Sequence, residues 1–111
     1  MDIINHTMQE LSAHLESGEV SSVDATQASL SHIEKNMDMG AWLRVAGKQA
    51  LEQAKASDAR RREGKALGPL DGIPLGLKDI FLTKDIPTTC GSKILEGFLP
   101  PYNAHVVEQL N

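Results

Sequence analysis

Residues 68–81 read GPLDGIPLGLKDIF, and this stretch decides what kind of fold the chain builds. Ile73, Leu75 and Leu77 alternate with Pro74, Gly76 and Lys78. A period of two is that of a β-strand, whose successive side chains point to opposite faces. The pattern predicts a strand with one aliphatic face and one nearly bare face, from which Lys78 projects.

The sequence on either side tells what that strand would belong to. Upstream, AWLRV at residues 41–45 is short, apolar and partly β-branched, which favours a second strand. Between the two, KQALEQAKASDARRRE at residues 48–63 is rich in strong helix formers and has Ala50, Leu51 and Ala54 on one face. Basic residues fill its last turn, with Gly64 beyond. Strand, helix, strand in that order predicts a βαβ unit with parallel pairing, and so an α/β class.

Before this unit lies a predicted helical hairpin. Thr7 with Glu10 forms a capping box, Met8, Leu11 and Leu15 recur at helical spacing, and Gly18 is the expected C-cap. Ser21 or Ser22 caps a second helix carrying Val23, Thr26, Leu30 and Ile33, which residues 36–40 end. The apolar stripe of the hairpin, residues 7–36, is expected to cover the sheet, with a partner as the other surface it could serve.

After Phe81 the chain is broken by Pro87, Gly91, Gly97 and Pro100–Pro101, which predicts loop with a helical turn at residues 92–96. Asn103 is the expected N-cap of a last helix with Ala104, Val107 and Leu110 on one side. Two strands leave open sheet edges, so we expect residues 1–111 to be the front part of one larger domain. Residues 1–39 would form its helical hairpin and residues 40–111 the start of its core.

A chain of 111 residues with 41% hydrophobic content suits one domain. The net charge of −4 argues against a dedicated nucleic-acid surface, though not against an RNA partner held by another subunit. There is no run of about 18 apolar residues for a membrane span, and the opening MDIINHTMQE does not read as a targeting segment. With one cysteine, Cys90, a reduced cytoplasmic setting is the expectation.

Two readings of Lys78 stand side by side. In one it snorkels its ammonium to water, as most lysines do. In the other, Pro74 and Gly76 leave room beside it for another group and burial disfavours its charge. To act as a base near pH 7 its pKa would have to fall from about 10.4, a change worth about 4 kcal/mol and within what burial achieves. A lysine so placed can take a proton from a hydroxyl.

The stretch GPLDGIPLGLKDIF, followed by PTTCGSKILEGFLPPYNAHVVEQL at residues 87–110, resembles the amidase signature family and, within it, the tRNA-dependent amidotransferase branch. The G-I-P-x-x-x-K-D core at residues 72–79 is shared across the family, and the likeness is dense from residue 68 to residue 111. The resemblance implies an α/β/α sandwich with a mixed sheet and a Ser-cisSer-Lys triad. Lys78 would be its lysine, taking a proton through a bridging serine from a nucleophilic serine that attacks a carboxamide. Nothing like GGSSGG, the kind of segment that carries the family's serines, occurs in these residues, so the chain alone is expected to be inactive.

The same resemblance implies glutamine as substrate and a heterotrimer. In it an A-type subunit releases ammonia to a B-type subunit, which uses ATP and magnesium to amidate misacylated tRNA, while a C-type subunit joins the two. It implies no cofactor or metal for this chain, and no phosphate-binding loop is found in it, since residues 72–78 lack the adjacent Gly-Lys such a loop needs. Two other readings are a general small-amide amidase of the same family and a non-catalytic helical interaction module.

Other residues carry paired readings. Cys90 is a nucleophile candidate but is expected to pack as a small buried hydrophobe. Asp79 is expected to tie down a loop, against a catalytic acid role. Arg60, Arg61 and Arg62 suit a helix C-terminus, against an RNA contact. His6, His14, His32 and His105 show no metal-ligand spacing and are expected at surface or capping positions.

Overall fold

A computed structural model describes all residues, 1–111. Its elements are α1 (Met8–Ser17), α2 (Ser22–Lys35), α3 (Gly47–Arg62) and α4 (His105–Leu110), with short 3-10 turns at Ile3–Asn5, Met37–Met39 and Lys93–Leu95. The chain divides into two units, Met1–Leu75 and Gly76–Asn111.

In the first unit the first two helices start where their own sequence says they should. Thr7 Oγ1 accepts from the Glu10 amide at 3.2 Å while Glu10 Oε2 accepts from the Thr7 amide at 2.7 Å, closing the capping box of α1. Gly18 ends that helix at φ +77°, a conformation that costs glycine little. Of the two serines expected to cap α2, Ser21 does so, exchanging hydrogen bonds with Asp24. The Ser22 hydroxyl instead donates to the Gly72 carbonyl at 2.7 Å.

Leu11, Leu15, Val20 and Ala25 form the core, with Ile3 and Ile73 packed against it. Met8, expected on the same stripe, is exposed. Helices α2 and α3 pack on each other, and their buried positions are small: Ser22, Ala25 and Thr26 on one, Ala54 and Ser57 on the other. Small side chains let two helices approach closely. The expected α2 stripe is therefore turned toward Ala25 and Thr26, leaving Val23, Leu30 and Ile33 half-buried. Gly72 lies at φ +91° against the two buried serines, where a Cβ would stand 2.5 Å from Ser57 Oγ and 2.9 Å from Ser22 Oγ. No other residue fits there without displacing them.

The predicted strands do not form. Residues 41–45 and 73–78 are irregular, and the βαβ unit and mixed sheet expected of an α/β fold are not present in these 111 residues. A strand is stable only against a partner, and its propensity is largely a preference for a pleated, half-covered surface. Here Trp42, Leu43, Val45, Leu75 and Leu77 are all exposed, and Pro74 has no N–H to offer a ladder. The predicted helix at residues 48–63 is present as α3, shifted by one residue.

The second unit is mostly loop, as its prolines and glycines foretell. One isolated bridge joins Thr83 and Ile86. The Ala104 amide donates to Leu82 O at 2.7 Å and the Thr88 amide to Phe98 O at 3.1 Å. Thr88, Pro100 and Val107 are its buried residues. Asn103 does not cap α4: its Oδ1 accepts from the Lys84 amide at 2.7 Å, and Ala104 occupies the N-cap position without a side-chain bond. Leu110, expected beside Val107 on the packed side, is exposed.

Candidate functional site

Lys78 opens a tight turn. The Phe81 amide donates to its carbonyl at 3.2 Å, and its side chain is exposed. The burial that one reading asks of this lysine is not provided by the residues of this chain.

The next residue is held from several sides. The Asp79 carboxylate accepts from the Thr89 amide at 2.8 Å, from the Thr89 hydroxyl and from the Gly91 amide at 3.4 Å. Its backbone carbonyl accepts from the Cys90 amide at 2.8 Å. One residue thus fastens the Lys78 turn to the loop ten to twelve positions later, the loop-tying role expected of Asp79.

That loop turns through Cys90 at φ +53° and Gly91 at φ +69°. The left-handed conformation is routine for glycine but costs other residues of order 1 kcal/mol, so Cys90 is held there by its neighbours. Cys90 is exposed, contrary to the expectation of a packed thiol. The geometry of the turn, which puts its amide on Asp79 O, leaves its side chain in water.

Arg60 and Arg61 have a structural use that the helix dipole does not exhaust. Arg60 grips Asp71 with Nε to Oδ2 at 3.0 Å and NH2 to Oδ1 at 2.6 Å, while Arg61 NH2 donates to the Asp71 carbonyl at 2.6 Å. Such a bidentate pair is the strong form of the ion pair. The Arg60 guanidinium holds the Asp71 carboxyl well below the usual carboxylate range against the cost of burial, the Leu67 amide helping at 3.0 Å. Asp71 in turn raises the pKa of Arg60. Arg62 remains exposed. Asp58 accepts from the Ser22 and Val23 amides at 2.7 and 3.1 Å, adding a charged cap to α2 from another helix. Sequence reasoning missed the roles of both Asp71 and Asp58: the arginine that pairs with Asp71 lies 11 residues away and the amides that Asp58 caps lie 35–36 away, and no local pattern marks either link.

The histidines pair locally. His14 Nδ1 shares a hydrogen bond with Glu19 Oε2, His6 Nδ1 lies 2.8 Å from Asp2 O, and the two rings meet edge to face at 4.9 Å. His32 and His105 are exposed. No group of three or more His, Cys, Asp or Glu side chains gathers where a metal ion would fit.

Set against known proteins, residues 24–111 match the family described as Amidase. The chain is 54% identical to the A-type subunit of the glutamyl-tRNA(Gln) amidotransferase of Myxococcus xanthus, over 99% of its own length and 23% of that protein's. It is 52% identical to the protein of the same name from Thermobifida fusca, over 98% of this chain and 22% of the relative. For the one from Rhodopirellula baltica the identity is 46%, over 95% and 21%. The chain thus spans between a fifth and a quarter of the length of these curated relatives. With a family match over most of its residues, and Lys78 and Asp79 inside the matched span, the chain belongs to the amidase family.

Proposed function

We propose that these residues form the amino-terminal part of the glutaminase, the A-type subunit of a tRNA-dependent amidotransferase, with Lys78 as its base. The observation that carries the reading is identity of 54%, 52% and 46% to proteins named as the A-type subunit of glutamyl-tRNA(Gln) amidotransferase, over nearly all of this chain. In the complete domain, residues 41–45 and 73–78 find partner strands in the mixed sheet of an α/β/α sandwich. The wall that shields the Lys78 amine from water comes from outside these 111 residues.

The proposed chemistry is acyl transfer. Lys78 Nζ takes a proton from a bridging serine, which takes one from the nucleophilic serine as its oxygen adds to the glutamine carboxamide carbon. The carbon–nitrogen bond then breaks, the departing nitrogen receives the proton back, and ammonia leaves. Water, deprotonated by the same relay, releases glutamate from the acyl-serine. The ammonia serves a B-type partner that spends ATP with magnesium on misacylated tRNA, a C-type subunit completing the heterotrimer. Cytoplasm is the compartment in which such a complex meets its tRNA.

The test is steady-state glutaminase kinetics of the complete enzyme. Replacing Lys78 by Ala lowers kcat by about 10²–10⁴-fold, the usual worth of a positioned base. Lys78→Arg keeps the charge but hardly ever gives up its proton, so it restores little. A Lys78→Ala enzyme of near-normal rate overturns the assignment, as does glutamine turnover by the 111-residue chain alone. Ammonia release that rises when B- and C-type subunits and charged tRNA are added supports the amidotransferase role. Rapid hydrolysis of simple amides by the isolated enzyme would argue for a general amidase.

A further inference from the structure

We infer that Asp79 is a positioning residue for the proposed base, holding the peptide that carries Lys78 against the loop of residues 89–91. The inference rests on the reading of Lys78 as the base and names a residue that acts through it.

A lysine side chain has four rotatable carbons, so the placement of its amine is only as good as the placement of its backbone. The Lys78 carbonyl is fixed by the Phe81 amide. One residue later, Asp79 is fixed twice over, by its backbone carbonyl to the Cys90 amide and by its carboxylate to Thr89 and Gly91. Hydrogen bonds to a charged acceptor are stronger than neutral ones. The loop itself is a conformation that needs holding, because Cys90 sits at φ +53°. Without the carboxylate the turn loses the acceptor on which the Thr89 and Gly91 amides converge. An error of about 1 Å in a reacting group can cost on the order of a hundredfold in rate. The bonds of Asp79 to Thr89, Cys90 and Gly91 reach the chemistry through the position of Lys78.

The experiment measures kcat and KM of the complete enzyme for glutamine in Asp79→Asn, Thr89→Val, Lys78→Ala and the Asp79→Asn/Lys78→Ala double variant, with circular dichroism to report folding. Asp79→Asn is expected to lower kcat tenfold to a hundredfold with KM within twofold. Thr89→Val, which removes one donor to the same carboxylate, is expected to give a smaller loss of the same kind. In the Lys78→Ala background Asp79→Asn is expected to cause no further loss, a result that a merely structural role would not produce. A folded Asp79→Asn enzyme of unchanged kcat overturns the inference, as does an equal loss in both backgrounds. If Asp79→Asn fails to fold, Thr89→Val decides, and an unchanged kcat there overturns it. A Lys78→Ala enzyme of normal rate strikes down the base assignment itself, whereas an inactive Lys78→Ala beside a normal Asp79→Asn strikes down only the positioning role.

Discussion

Residues 1–75 and residues 76–111 are built on different principles. The first unit has three helices, two of them with side-chain caps, a shared aliphatic core and a part-buried ion pair, so most of what it needs lies within it. The second is a loop tied by side chain to backbone bonds, with one buried valine in a six-residue helix. Leu77, Ile80, Ile94, Phe98, Leu99, Tyr102, Val106 and Leu110 are all exposed. So many apolar side chains in so short a stretch are what a surface made for further packing displays. The comparison teaches that in this chain stability and chemistry lie in different places: the residues that hold the fold are in the first unit, and the proposed base and its anchor are in the second.

The widest gap is expected between two leucines. Leu15 is 4% exposed in the core and Leu110 is 46% exposed. Leu15→Ala should cost about 2–5 kcal/mol in urea unfolding of the chain, through lost burial and the cavity left behind. Leu110→Ala should cost no more than about 0.5 kcal/mol, as surface changes usually do. Equal losses would mean that Leu110 is packed in solution and would break the contrast.

A smaller effect sharpens it from the electrostatic side. The Asp71 side chain is 4% exposed and its partner Arg60 is 33% exposed, so Asp71→Asn should cost about 2 kcal/mol, below the roughly 3–5 kcal/mol of a wholly buried pair because water screens the arginine. The folded-state pKa of Asp71 is lowered, so its contribution is complete above the unfolded value of about 3.9 and is lost as pH falls below it. Urea midpoints of the native chain and of Asp71→Asn should therefore differ at pH 7, and the gap should narrow steadily, without closing, as the pH is taken from about 5 down to about 2. A difference that persists undiminished at the acid end would assign the stabilisation to something other than this carboxylate.

The same division explains what could be read beforehand. Thr7 with Glu10, Gly18 and Gly40 act within one turn of chain, so their letters suffice to place them. Ser22 is a capping letter too, yet its hydroxyl goes to Gly72, fifty residues on, and the cap falls to Ser21. Asn103 has the letter of an α4 cap, but the Lys84 amide occupies it. In each case a distant partner outcompeted a local one. The strands failed for the same reason carried further: residues 73–78 have the right alternation, but pairing requires an edge that no residue here supplies. Lys78 is legible as a residue type in a motif, whereas its exposure depends on which residues pack around it, and no local pattern of letters states that. Asp79 is legible as a tie because a carboxylate beside a turn has few better partners than backbone amides.

The smallest expected effect tests whether the second unit is governed by backbone shape. Cys90 stands at φ +53° with its side chain in water, so its thiol contributes little packing and its backbone carries strain. Cys90→Gly removes strain of about 1 kcal/mol, but glycine gives the unfolded chain more freedom, which offsets roughly 0.5–1 kcal/mol. The net change in unfolding free energy should lie between zero and about 0.5 kcal/mol in favour of the variant. Cys90→Val keeps an apolar side chain yet puts a β-branched residue in the left-handed region, and should destabilise by more than about 1 kcal/mol. If valine is tolerated and glycine is not, the thiol is packed and the exposed turn is wrong. If the order is glycine, cysteine, valine, the position is selected by its backbone angle, which is the angle that delivers the Cys90 amide to Asp79.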